Sequence, residues 1–182
     1  TNSEVMRNLN LKGLIDLGFP YYGWLIAIHT VPVRIANKFG INLIFYGEDG
    51  EVEYGGSTET SKNPIYDYAY QKKIYLENGY DEVLASIKNR NNWFYKFPND
   101  EGLNNKVDLA HWSYFENWDP YRNYLVAKEF CGLKESSETN SGTFTNFSQN
   151  DQALYSLHTY LMYLKFGFGR ANQDACLSLI HI

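Results

Sequence analysis

The most chemically suggestive stretch of the chain is Leu43-Ile44-Phe45-Tyr46-Gly47-Glu48-Asp49-Gly50-Glu51-Val52-Glu53-Tyr54-Gly55-Gly56. Carboxylates cluster between glycines directly after a run of large apolar residues. Their oxygens are hard donors that suit Mg²⁺ and can serve as general acids or bases. In an open parallel sheet, ligands bind beyond the carboxyl ends of the strands. If the apolar run is such a strand, Glu48, Asp49, Glu51 and Glu53 stand where a substrate or Mg²⁺ would sit. The competing reading is a solvated acidic turn, a common use of Asp, Glu and Gly.

Other residues carry weaker signals. Lys165 and Arg170 flank Phe166-Gly167-Phe168-Gly169 at the end of a helical pattern, where either cation could hold a phosphate or the diphosphate of a sugar nucleotide. Cations at a helix C-terminus are also favoured by the macrodipole, by roughly 0.3–1 kcal/mol. Trp118 could stack on a sugar and Asp119 hydrogen-bond it, although Asp119 before Pro120 also suits a helix N-cap. His29, His111 and His158 have no carboxylate partner evident from spacing. Trp93-Phe94-Tyr95 interrupt an Asn-rich connection, and either anchor a partner or fold back into the core.

The elements that must position these residues alternate between helix and strand. Residues 3–18 carry Val5, Met6, Leu9, Leu11, Leu14, Ile15 and Leu17 in a helical pattern. Residues 21–39 place Trp24, Leu25, Ile28, Val31, Ile35 and Phe39 at helical spacing, with a kink or break expected at Pro32. The run 41–46 does not alternate, which predicts a strand buried on both faces, as in a helix-covered parallel sheet. Residues 66–87 read as one or two helices and 89–105 as an irregular link. Residues 111–118 read as a strand, followed by a helix from Asp119-Pro120 to Phe130 that Gly132 closes. A polar loop over 135–150 leads to a last helix over 151–166, with Leu154, Leu157, Leu161 and Leu164 on one stripe.

Several of these motifs, in one order, resemble the N-acetyl sugar amidotransferase family of bacterial surface-polysaccharide (LPS) biosynthesis. They are residues 30–56, Trp118-Asp119 before a helix, Gly142-Thr143-Phe144-Thr145-Asn146-Phe147 leading to Asp151, and His158 through Lys165-Phe166-Gly167-Phe168-Gly169-Arg170-Ala171 with Asp174-Ala175. The likeness spans about Gly18 to Ala175. The family belongs with the PP-loop ATP pyrophosphatases, which adenylate an acceptor oxygen and let a nitrogen or sulfur nucleophile displace AMP. The resemblance implies conversion of a sugar N-acetyl group to an acetamidino group, with ATP and Mg²⁺. It implies ammonia delivered by a glutaminase and a cyclase-like channelling subunit. It casts Glu48, Asp49 and Glu53 as catalytic, and Glu48 and Asp49 as candidate Mg²⁺ ligands. Tyr54, Trp118, Asp119, Lys165 and Arg170 become substrate-binding residues.

The chain departs from that family in two places: it contains neither the Ser-Gly-Gly-x-Asp-Ser loop that cradles pyrophosphate nor the paired N-terminal cysteines of many members. It begins at Thr1 in what reads as the middle of a domain, so a missing N-terminal part carrying the loop is expected. The predicted fold is α/β, a partial doubly wound parallel sheet of the PP-loop, adenine nucleotide alpha hydrolase-like type. Residues 1–176 are read as the later part of that domain and 177–182 as a non-native tail.

Composition narrows the functional classes. Sixteen Lys and Arg against twenty-one Asp and Glu give a net charge of −5, opposite in sign to a phosphate-backbone binder, so nucleic acid is not an expected partner. No apolar run approaches the roughly 20 residues of a membrane span, so no membrane association is expected. The two cysteines, Cys131 and Cys176, have no metal-ligand spacing, which favours a reducing, cytoplasmic setting. A rival reading from another class is a non-catalytic sugar-binding or interaction module whose aromatic residues bind glycan without ATP.

Overall fold

The computed structural model describes residues 2–47, 63–76, 80–87, 90–96, 106–116, 119–139, 143–147, 154–169, 171, 172 and 175. The chain divides into two compact units, Thr1–Glu116 and Asn117–Ile182. Within the described residues it is a mixed α/β protein with a small three-stranded mixed sheet.

In the first unit, α1 (Ser3–Leu17) starts where Asn2 accepts a hydrogen bond from the Val5 amide at 3.1 Å. It buries Val5, Leu9 and Gly13 against α2 (Tyr22–Phe39), while Leu11, Ile15 and Leu17 are exposed. The two helices approach closely because two glycines lie between them. A Cβ on Gly13 would stand 2.2 Å from Tyr22 Cβ, and one on Gly23 would stand 2.9 Å from Leu9 Cβ. The N-terminus of α2 has no side-chain cap of its own. Asn10 on α1 supplies one instead, its Oδ1 accepting from the Gly23 amide at 2.8 Å.

Helix α2 runs through Pro32 as a single element rather than splitting there. Its buried stripe is Tyr22, Gly23, Ile26, Ala27, His29, Thr30, Val33 and Ala36. Trp24, Ile35 and Phe39, expected to face the core, are exposed. Leu25 and Val31 of the anticipated stripe do pack, half-buried, against the core, but the most deeply buried stripe is built partly of small and polar residues that apolar periodicity does not mark.

The strands are β1 (Leu43–Tyr46), β2 (Tyr66–Asp67) and β3 (Asp108–His111), in the order β1-β3-β2. Strand β1 pairs parallel with β3, and β2 pairs antiparallel with it. The sheet is therefore mixed rather than wholly parallel. Strand β1 is covered on one face only: Ile44 and Tyr46 are half-buried, whereas Leu43 is 42% and Phe45 50% exposed. The expectation of burial on both faces fails because, among the described residues, β1 has one strand neighbour and the contacting helix, α2, lies on the Tyr46 side. Strand β3 also begins earlier than expected. It ends at His111, and residues 112–114 form a 3-10 turn.

Two short helices follow β2. Asp67 caps α3 (Tyr68–Tyr75) by accepting from the Tyr70 amide at 2.8 Å. Helix α4 (Tyr80–Ser86) buries Tyr80 and Leu84. The core joins Val5, Leu9, Tyr22, Ile26 and Val33 to Tyr80, Leu84, Tyr95 and Leu109. The aromatic triplet splits its roles: Tyr95 is fully buried, whereas Trp93 and Phe94 are exposed and stacked at 3.8 Å.

In the second unit, α5 (Pro120–Cys131) matches its expected limits closely. Asp119 accepts from the amides of Tyr121 and Arg122 at 3.0 and 2.9 Å, Pro120 opens the first turn, and Gly132 closes the helix at φ +69°. Phe147 stacks on Tyr124 of α5 at 4.2 Å. Ser136 and Asn146 exchange hydrogen bonds across the intervening loop. Helix α6 (Tyr155–Phe166) buries Tyr155 and Thr159 and exposes Leu157 and Leu164 of the anticipated stripe. No helix among the described residues is long and apolar enough to cross a membrane.

Candidate functional site

The parallel register places Tyr46 opposite His111, so the carboxyl ends of β1 and β3 lie side by side. Around them the first unit gathers a buried polar cluster. His111 is sandwiched between two phenol rings, Tyr46 at 5.3 Å and Tyr66 at 5.7 Å, both stacked on it. Its Nε2 lies 2.7 Å from the Tyr66 hydroxyl. Tyr66 is paired across the ladder with Leu109, two residues before His111 on the same face, and this diagonal relation lets the long side chains meet.

Tyr46 extends the cluster to the helices. Its hydroxyl donates to the Ile28 carbonyl at 3.1 Å and accepts from Gln71 Nε2 at 3.0 Å. Gln71 on α3 is fully buried, and its Oε1 has no hydrogen-bond partner among the described residues. His29 follows Ile28 and lies 6.3 Å from the Tyr46 ring. Burial, reinforced by the nearby His111, pushes His29 down to about 3, so at neutral pH its imidazole is uncharged.

This arrangement is a buried set of hydrogen-bond donors and acceptors with little access to water. It can hold a proton between Tyr66 and His111, and it anchors the edge at which the chain leaves β1 through Gly47. On the opposite face, Phe45, Trp112 and Phe115 meet edge to face or tilted at 5.8–6.1 Å, and all three are exposed. Trp112 is oriented by donating from Nε1 to Glu116 Oε2 at 2.9 Å.

Of the site residues expected from sequence, Glu48, Asp49, Glu51, Glu53, Tyr54, Trp118 and Arg170 lie outside the described residues. Asp119 is the exposed N-cap of α5, and Lys165 is exposed in the last turn of α6. Both belong to the second unit. Among the described residues no group of three or more His, Cys, Asp or Glu could hold a metal ion.

Sequence reasoning left His29 and His111 unresolved and gave Gln71, Tyr66 and the Tyr46 hydroxyl no part. One signal was available: a proline inside a helical pattern withholds a donor from the carbonyl four residues back, which calls for a donor elsewhere. The chain matches no known family model and no curated protein.

Proposed function

We propose that this chain is part of an ATP-dependent amidotransferase that converts the N-acetyl group of a sugar or nucleotide-sugar intermediate to an acetamidino group, within a PP-loop-like α/β domain. The observation that supports it is the parallel register of Leu43–Tyr46 with Asp108–His111. Parallel pairing makes the exit of β1 at Gly47 a carboxyl edge, the edge at which open α/β sheets bind their ligands. The sequence that follows at once is Glu48-Asp49-Gly50-Glu51-Val52-Glu53-Tyr54.

In this reading, the amide oxygen is a poor leaving group until ATP, the co-substrate, adenylates it; ammonia then displaces AMP. Glu48, Asp49 and Glu53 serve the reacting groups, and Tyr54, Trp118, Asp119, Lys165 and Arg170 hold the substrate. Glu48 and Asp49 carry the hard oxygen donors that Mg²⁺ takes, and bound Mg²⁺ would supply charge neutralisation for phosphate oxygens. Ammonia comes from a glutaminase through a cyclase-like subunit in the cytoplasm, shielded from water until it reacts.

The test is AMP and pyrophosphate release by the polypeptide that includes a Ser-Gly-Gly-x-Asp-Ser loop, given ATP, ammonium and nucleotide-linked N-acetyl sugars. Sugar-dependent AMP release that Glu48→Gln lowers, with unfolding free energy unchanged within about 0.5 kcal/mol, supports the reading. Sugar binding without any ATP turnover overturns it in favour of a sugar-binding module.

A further inference from the structure

Pro32 lies inside α2, where it offers no N–H to the carbonyl four residues back. That carbonyl belongs to Ile28, and it receives the Tyr46 hydroxyl at 3.1 Å. A phenol has one proton to donate, so with that proton on Ile28 the same oxygen can only accept from Gln71, as it does at 3.0 Å from Nε2. The ring itself is fixed from the side by His111, stacked at 5.3 Å and 29°. His111 is in turn bonded to Tyr66. Tyr46 is thus held by strand β3, helix α2 and helix α3 at once, and it is the last residue of β1 before Gly47.

A phenylalanine would fill the same volume and keep the ring contacts, so the hydroxyl answers a specific need. We propose that Tyr46 is a positioning residue: its hydroxyl replaces the amide that Pro32 withholds, pinning the carboxyl end of β1 to the middle of α2 and fixing where the chain leaves the sheet at Gly47. The pinning follows from the geometry alone. Only its consequence for turnover rests on the amidotransferase reading.

The test compares Tyr46→Phe, Pro32→Ala and the double variant in the whole chain, by thermal unfolding and by hydrogen exchange of the amides at residues 43–47. Tyr46→Phe is expected to lower Tm by about 3–6 °C and to speed exchange at those amides by roughly tenfold. Pro32→Ala restores an N–H aimed at the Ile28 carbonyl, so adding Tyr46→Phe to it should lower Tm by less than half as much. Exchange at 43–47 should nevertheless stay fast in the double variant, because the helix has been repaired and the strand end has not. Should Tyr46→Phe alone fail to fold, comparing the double variant with Pro32→Ala still reads the exchange.

Strictly additive Tm shifts would show that Ile28 is not the shared target. Recovery of slow exchange together with Tm would reduce Tyr46 to a helix patch. Either result overturns the proposal. In the amidotransfer assay, kcat should track exchange rather than Tm. An unsubstituted protein without turnover would overturn the proposed activity, while the unfolding and exchange arms still decide the pinning.

Discussion

The Tyr66 hydroxyl lies 2.7 Å from Nε2 of His111, and the two rings are stacked within 17° of parallel, so one residue pair both bonds and packs β2 against β3. Both residues are buried. Tyr66→Phe keeps the stack and removes the bond, leaving His111 Nε2 without that partner in a water-poor site. The expected loss is about 1–3 kcal/mol of unfolding free energy, measured by urea denaturation. Replacing both residues with apolar ones should cost less than the sum of the single changes, since no polar atom is then stranded. Full additivity would mean that the bond contributes nothing.

His29 gives the protein an acid-sensitive limb. Its value falls from 6.5 unfolded to about 3 folded, chiefly through burial and then through His111. Between those limits the unfolded chain binds the extra proton. Stability is therefore fully present above about pH 6.5 and is lost as pH falls toward 3, at up to about 1.4 kcal/mol per pH unit. His29→Gln should flatten this dependence in unfolding titrations between pH 4 and 7. An unchanged slope would assign the acid sensitivity to other groups.

Gly13→Ala sets helix propensity against packing. Alanine is favoured over glycine by roughly 1 kcal/mol inside a helix. At this position its Cβ would meet Tyr22 Cβ at 2.2 Å and the Phe19 carbonyl oxygen at 2.7 Å. Overpacking of this kind costs typically 1–3 kcal/mol and here involves backbone that cannot simply rotate away. The net effect should be destabilising by more than about 1 kcal/mol. Gly169→Ala, where nothing lies within 4 Å, is the matched control and should be near neutral.

Asp119 separates a cap from a ligand. Asp119→Ala removes both cap bonds of α5 and should cost about 0.5–2 kcal/mol, whereas Asp119→Asn keeps an acceptor and should cost only a few tenths. If Asp119 also hydrogen-bonds the sugar as a charged acceptor, Asp119→Asn should raise KM with stability preserved. An unchanged KM would leave it a cap alone.

Within the 182 residues there is no Ser-Gly-Gly-x-Asp-Ser loop. MgATP should therefore leave the thermal midpoint of this chain unmoved. Binding at a hundredfold excess over Kd would add about 2.7 kcal/mol, a shift that differential scanning would detect easily. A clear stabilisation would contradict the PP-loop placement of the nucleotide.

The local features were legible in the sequence because their causes are local. Asp119-Pro120 and Gly132 delimit α5 through capping, a first-turn proline and a left-handed closing residue. The strand at Leu43–Tyr46 and the helices at Ser3–Leu17 and Tyr22–Phe39 follow from runs and periodicity in the same way. Which helix face packs was decided elsewhere. Gly13 and Gly23 let α1 and α2 close, and the buried stripe of α2 goes on to His29 beside Tyr46 and Thr30 bonded to the Phe94 carbonyl, whereas hydropathy favoured Trp24, Ile35 and Phe39. The partner of β1 could not be read either. Its register with Asp108–His111 joins segments more than sixty positions apart, and nothing in either one specifies the other. The candidate site depends wholly on that register. Only when Tyr46 and His111 lie side by side can the Tyr46 ring stack on the imidazole while its hydroxyl answers the donor that Pro32 withholds. Caps, turns and apolar runs act over a few bonds, so they mark the ends of α5 and the presence of α1, α2 and β1, but not the limits of β3, which its strand partners set. The tertiary structure decided which polar atoms satisfy one another, because a buried donor takes whichever acceptor the packing brings within reach.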